Sequence, residues 1–181
     1  MKKLSMEELN RLSVEEFKKK DKSPIVIVLD NVRSLNNVGS AFRTSDAFLI
    51  DKICLCGITG TPPHREIQKT ALGATESVEW EYYEHTLDAF ISLKKDGFKI
   101  CAFEQVDQSL ALHTFSPKRN EKYALVFGNE VFGVTEEVIK ACDFALEIPQ
   151  LGTKHSLNIS VSLGIALWDF TVKLNLIDQD T

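Results

Sequence analysis

From Ser23-Pro24 onward, short apolar runs alternate with segments of helical spacing. Ile25 to Leu29 is unbroken, apolar and mostly β-branched, the pattern of a strand buried on both faces. Asn37 to Phe48 has helical spacing, Ile53 to Ile58 is strand-like, and His64 to Leu72 reads as a helix after Pro62-Pro63. Val78 to Tyr83 predicts a strand, Leu87 to Lys95 a helix capped by Thr86, and Phe98 to Phe103 another strand. Tyr123 to Phe127, Thr135 to Ala141 and Phe144 to Ile148 repeat the order strand, helix, strand. Such alternation predicts an α/β fold, a mostly parallel sheet flanked by helices. Ligands on such sheets gather at the carboxyl ends of the strands.

The two ends of the chain read differently. Residues 1–22 carry two capping boxes in tandem, Ser5 with Glu8 and Ser13 with Glu16, each able to satisfy amides at a helix start. Leu9, Leu12 and Phe17 give a thin apolar face, so this extension predicts one broken helix or two short ones. At the other end, Leu157, Ile159, Val161, Leu163, Ile165 and Leu167 alternate as in a strand, but the run through Leu174 has the length of a helix. A helix so apolar on every side must be buried on more than one face, for instance between the sheet and a partner subunit. The organisation expected is an extension over 1–22, a domain over 23–175 and a tail over 176–181.

Composition sharpens this. With 181 residues, 44% apolar and 26% charged, the chain suits one ordinary domain with a well-filled core. Met1 to Glu8 has basic residues but no apolar stretch behind them, so no secretory signal is expected, and no window is apolar enough for a membrane span. Cys54, Cys56, Cys101 and Cys142 form no C-x-x-C pair and have no His at zinc spacing, so buried reduced thiols, no metal and a cytoplasmic setting are expected. The net charge of −5 disfavours binding of nucleic acid by bulk charge. That charge is uneven, at +2 over residues 1–22 and −7 over the rest. Any contact with nucleic acid would therefore be local, through residues such as Lys18, Lys19, Lys20, Lys22, Arg33, Arg65, Lys69 and Lys154.

Common cofactor signatures are missing. Gly128 to Thr135 has the spacing of a phosphate loop, but Val134 stands where Lys is required and Glu130 adds negative charge. No G-x-G-x-x-G follows a strand, and no G-x-S-x-G elbow exists. Three polar clusters remain, each after a strand: Asn31 to Thr44, Gly128-Asn129-Glu130, and Ile148 to Asn158. Each alone has an ordinary reading, with Asn37 as a helix cap, Arg43 as a solvated side chain, and Ser156 or Asn158 as a cap of the last helix.

Together, N-N-V-G-S-A-F-R-T, L-V-F-G-N-E-V-F-G-V and I-P-Q-L-G-T-K-H-S-L-N-I-S-V-S resemble the three ordered motifs of the SpoU (TrmH-like) RNA ribose methyltransferases of the SPOUT superfamily. The likeness spans about residues 24 to 172, with Ser40 where Ala is frequent and His155 in a variable stretch. The resemblance implies a C-terminal deep trefoil knot, a homodimer packed through it, and S-adenosyl-L-methionine held by the backbone at Gly128, Ile148 and Leu157. It implies Arg43 as the main catalytic residue, supported by Asn37, Glu130, Ser156 and Asn158. The expected reaction is methylation of a ribose 2′-hydroxyl in RNA without a metal, with tRNA preferred because the extension is short; ribosomal RNA, or a non-catalytic RNA-binding paralogue, are the alternatives. Arg43 stays protonated in ordinary surroundings, so orienting the hydroxyl and stabilising the developing alkoxide suit it better than acting as a base.

Overall fold

The computed structural model describes residues 1–5 and 8–177. Among the described residues, seven strands form a single parallel sheet: β1 (Ile25–Asp30), β2 (Lys52–Cys56), β3 (Glu79–Tyr83), β4 (Phe98–Phe103), β5 (Leu110–Ala111), β6 (Lys122–Phe127) and β7 (Phe144–Glu147). Their order is β3-β2-β1-β6-β4-β7-β5. β1 pairs with β2 and β6, and all six of its residues are buried, as its continuous apolar run requires.

Side-chain alternation divides the core into two layers. Ile25, Ile27 and Leu29 of β1 face α2 (Leu35–Ala47), α3 (Arg65–Ala71) and α7 (Ile159–Lys173). Val26 and Val28 face α5 (Thr86–Lys95) and α6 (Glu136–Ala141). Two short helices complete the first layer, α1 (Val14–Lys19) and α4 (Ala74–Ser77).

The N-terminal extension differs from expectation. Both capping boxes form, but among the described residues only Ser13–Glu16 starts a helix, the six-residue α1. A helix so short is marginal in water, and α1 is anchored by Phe17, which is buried in the core while Leu9 and Leu12 stay exposed. The Lys22 ammonium lies 4.0 Å from the Phe17 ring centroid, a cation–π contact. The last segment is the helix that its length favoured, α7, with Asn158 as its N-cap. Phe170 of α7 packs among Phe103, Phe115 and Tyr123 at centroid distances of 6.4, 5.8 and 5.4 Å. Of the expected 176–181 tail, residues 178–181 lie outside the described residues.

Two caps are corrected. Ser34, not Asn37, caps α2, its hydroxyl accepting from the Asn37 amide at 3.3 Å. Thr86 is the first residue of α5 rather than its cap, and its hydroxyl donates instead to buried Asp30 at 2.6 Å. Asp30 also accepts from the Thr135 amide at 3.3 Å, which ties the end of β1 to the start of α6.

All four cysteines are free; Cys54, Cys56 and Cys101 are buried and Cys142 is half-buried. Burial pushes the Cys54 and Cys142 thiols up to about 12 and raises those of Cys56 and Cys101 well above the ordinary thiol value. Among the described residues, no helix is long and apolar enough to cross a membrane.

Candidate active site

The carboxyl ends of β6, β4 and β7 open onto a cleft of about 540 Å³, a volume ordinary for small-molecule sites. Its floor is apolar and includes Phe103 and Phe127, stacked with ring centroids 5.0 Å apart. One wall is the loop after β6, the other the segment between β7 and α7.

The β6 loop closes on itself. Asn129 and Gly133 exchange backbone hydrogen bonds, each 2.9 Å, and the Asn129 side-chain oxygen accepts from the amides of Val131 and Phe132 at 2.9 and 3.2 Å. Its amide nitrogen donates to the Asn31 carbonyl at 2.8 Å, which fastens the loop to the end of β1. Gly128 is required by this closure, because a Cβ there would lie 2.1 Å from the Gly133 carbonyl carbon and the Val134 nitrogen. Gly133 has φ +67°, and a Cβ on it would fall 2.2 Å from Glu104 Oε2. The close approach legible in the two glycines is thus made by the protein itself.

Glu130 points away from the loop tip to the start of α2. Oε2 accepts from the Arg33 amide at 2.9 Å, while Oε1 accepts from the Ser34 amide at 3.0 Å and from Asn37 Nδ2 at 2.9 Å. Partial burial works to raise its carboxyl, but the donors at Arg33, Asn37 and Ser34 outweigh that and hold it below the usual carboxylate range. An ionised carboxylate with three donors is a tether and a poor proton acceptor. Asn37 Oδ1 in turn accepts from Asn158 Nδ2 at 3.3 Å, so the starts of α2 and α7 meet. Asn158 also caps α7, its Oδ1 accepting from the Ser160 amide at 2.9 Å and the Ser160 hydroxyl at 2.6 Å.

Six of the eight residues nominated from sequence line the cleft: Gly128, Glu130, Ile148, Ser156, Leu157 and Asn158. Asn37 stands behind it, bonded to two of them. Arg43, six positions along α2 from Asn37, lies exposed on the helix and does not line the cleft of its own chain.

Sequence reasoning missed Glu104 and Gln105, the residues that follow β4. Glu104 Oε2 accepts from the Val134 amide at 3.0 Å and Oε1 from the Gln105 amide at 2.9 Å, while Gln105 Nε2 donates to the His155 carbonyl at 2.9 Å. Their position at a strand's carboxyl end was the available signal. Among the described residues the cleft lining carries Glu104, Glu130 and Glu147 but no Lys or Arg. An acidic pocket over stacked aromatic rings suits an organic cation with a flat apolar part, and disfavours a phosphate-rich ligand.

The chain matches the family model described as the SpoU rRNA Methylase family over residues 24–168. It is 30% identical over 164 residues to a tRNA/rRNA methyltransferase of Borreliella burgdorferi named as uncharacterized, covering 91% of this chain and 70% of that one. It is 28% identical over 171 residues to the tRNA (guanosine(18)-2'-O)-methyltransferase of Thermus thermophilus, covering 90% of this chain and 81% of the relative. Among solved structures, the AdoMet-bound rRNA methyltransferase of Sinorhizobium meliloti superposes with a TM-score of 0.79 at 26% identity. That match covers 87% of this chain and 59% of the Sinorhizobium chain.

Proposed function

The chain belongs to the SpoU rRNA methylase family, and on that premise we propose that it transfers a methyl group from S-adenosylmethionine to the 2′-hydroxyl of an RNA ribose. The observation that carries the reading is the cleft itself, an acidic pocket lined by the second and third polar clusters and tied to the first through Glu130, Asn37 and Asn158. S-adenosylmethionine fits what lines it: a cation for the carboxylates, an adenine for the apolar floor, and the backbone at Gly128, Ile148 and Leu157 to hold both. When bound, it supplies a methyl group on a sulfonium, a strong electrophile.

The protein's part is then orientation and charge. Glu130 is a positioning residue that locks the start of α2 to the β6 loop. Ser156, in the cleft wall, and Asn158, fixed by its capping bonds, orient the ribose hydroxyl, and alignment of the reacting atoms supplies much of the acceleration. The Arg43 guanidinium steadies the developing alkoxide, while a phosphate oxygen of the RNA takes the proton.

Arg43 needs a second chain for this role. Val161, Ile165, Trp168 and Val172 form an exposed apolar stripe at helical spacing along α7, with Trp168 56% exposed. Such a stripe supports a homodimer packed through α7. α2 and α7 share one helical layer, and in this reading pairing along α7 would set Arg43 against the cleft of the partner chain. The C-terminal trefoil knot belongs to the same reading. Its support is the strand order, in which β7 lies between β4 and β5, so that α7 leaves the sheet beside the β4–β6 crossover and its Lys173 Nζ donates to the Leu112 carbonyl at 2.6 Å.

Transfer RNA is the substrate we would test first, as in the name of the Thermus relative, which is similar over 90% of this chain, with ribosomal RNA, as in the name of the Sinorhizobium neighbour, as the alternative. Tritium transfer from S-adenosylmethionine to total RNA from cells lacking the enzyme tests the activity, and mapping the labelled nucleotide identifies the RNA. Binding of cofactor and RNA without transfer would replace this reading by the non-catalytic one. Arg43→Ala should lower transfer by about 10²- to 10³-fold, as loss of a charge-stabilising group does, with cofactor affinity unchanged. Near-normal transfer would remove Arg43 from the mechanism.

A further inference from the structure

The loop after β6 holds two apolar side chains out in water. Val131 is 66% exposed and Phe132 80% exposed, at the tip of the loop that forms the cleft wall. Their amides are both held by Asn129 Oδ1, and the loop base is closed by the paired Asn129–Gly133 bonds. The ring is therefore presented by a backbone already fixed, so little conformational entropy is lost when a ligand lies against it.

A polyanion approaching this cleft meets three carboxylates in the lining and a chain of net charge −5. Charge alone does not draw it in, whereas stacking of a base on an aromatic ring depends little on net charge. An exposed aromatic ring at a cleft mouth is the kind of surface that takes an unpaired base. The stripe suited to a second copy of the chain lies on another element, α7.

We propose that Phe132 is a stacking platform for an unpaired base of the RNA substrate, next to the ribose presented to the cleft. The proposal rests on the RNA methylation reading for its substrate, and it makes Phe132 a specificity-determining residue of the same site.

The test compares full-length wild type, F132A and F132W on total RNA from cells lacking the enzyme. Three quantities are read: RNA retention without cofactor, kcat/KM for tritium transfer, and molecular mass in solution. F132A should weaken RNA retention and lower kcat/KM by roughly 5- to 150-fold, the range for one base–aromatic stack. S-adenosylmethionine affinity and mass should not change, and F132W should restore binding. The F132A loss should persist from low to moderate salt, whereas a phosphate contact fades as salt rises. Unchanged RNA retention in F132A, or a change in mass showing that the ring is a subunit contact, would overturn the proposal. Phe132-dependent retention without methyl transfer would uphold it and remove the methylation reading. Methyl transfer indifferent to F132A would do the reverse.

Discussion

The two walls of the cleft are built on different principles. Along Gly128–Val134, backbone pairs, the Asn129 side chain, Glu130 and Glu104 each bind the loop to something fixed. Along residues 149–157, the hydrogen bond among the described residues is that from Gln105 Nε2 to the His155 carbonyl, and every residue from Leu151 to Leu157 is exposed. The difference follows from composition. The first wall has short polar side chains that reach backbone groups, whereas Pro149, Gly152, Thr153 and Lys154 offer the second little to bury or pair. One wall is thus set before any ligand arrives, while the other owes its order to what it touches.

The largest effect should come from breaking the preset wall at its tightest point. Gly128→Ala places a methyl 2.1 Å from the Gly133 and Val134 backbone, so the loop must open. Overpacking of this kind costs about 1–3 kcal/mol and sometimes more. Isothermal titration should show cofactor affinity lowered by about 100-fold or beyond, with the circular dichroism of the sheet retained.

Glu130→Gln tests the tether between loop and α2, and it should lower kcat by about 10-fold while changing cofactor affinity less. Its stability effect has a defined pH dependence. The folded carboxyl sits below its ordinary value of 4.5, so its contribution is fully present above that pH and is lost as pH falls through the lower folded value. The gap in melting temperature between wild type and Glu130→Gln should therefore be constant from neutrality to about 4.5 and close below it.

Hydrogen exchange reads the contrast directly. Adding S-adenosylmethionine should slow amide exchange over residues 149–157 by several-fold and over 128–134 much less; equal protection of both walls would erase the distinction. The smallest change expected is from Gln105→Ala. It removes one hydrogen bond, a net loss of about 0.5–1.5 kcal/mol, and should weaken cofactor affinity by about threefold to tenfold while barely moving the melting temperature.

Much of this architecture was legible because hydrophobic periodicity is local. β4 runs from Phe98 to Phe103 as its pattern predicts, and β1 extends its apolar run by one residue, the buried Asp30. α4, β5 and the turn at Leu112–Thr114 were not legible, being two to four residues long and placed by contacts with distant elements. Strand order escapes local reading as well, since β6 lies between β1 and β4 through pairing across much of the chain. In the site, Asn37 and Asn158 each admitted a capping and a functional reading. Asn158 is a cap that also reaches Asn37, while the α2 cap belongs to Ser34. Glu104 was hidden because its partner, the Val134 amide, is thirty positions away.

The buried thiols give the cleft an unplanned experimental handle. Thiol-reactive dyes and spin labels attack the thiolate, and burial keeps Cys54, Cys56, Cys101 and Cys142 protonated at working pH. A cysteine introduced by Leu151→Cys, on a fully exposed position of the sparsely bonded wall, should therefore take a reporter group in preference to the native cysteines, without first removing them. The fold that shields its own thiols leaves the sparsely bonded wall of the cleft free to be watched.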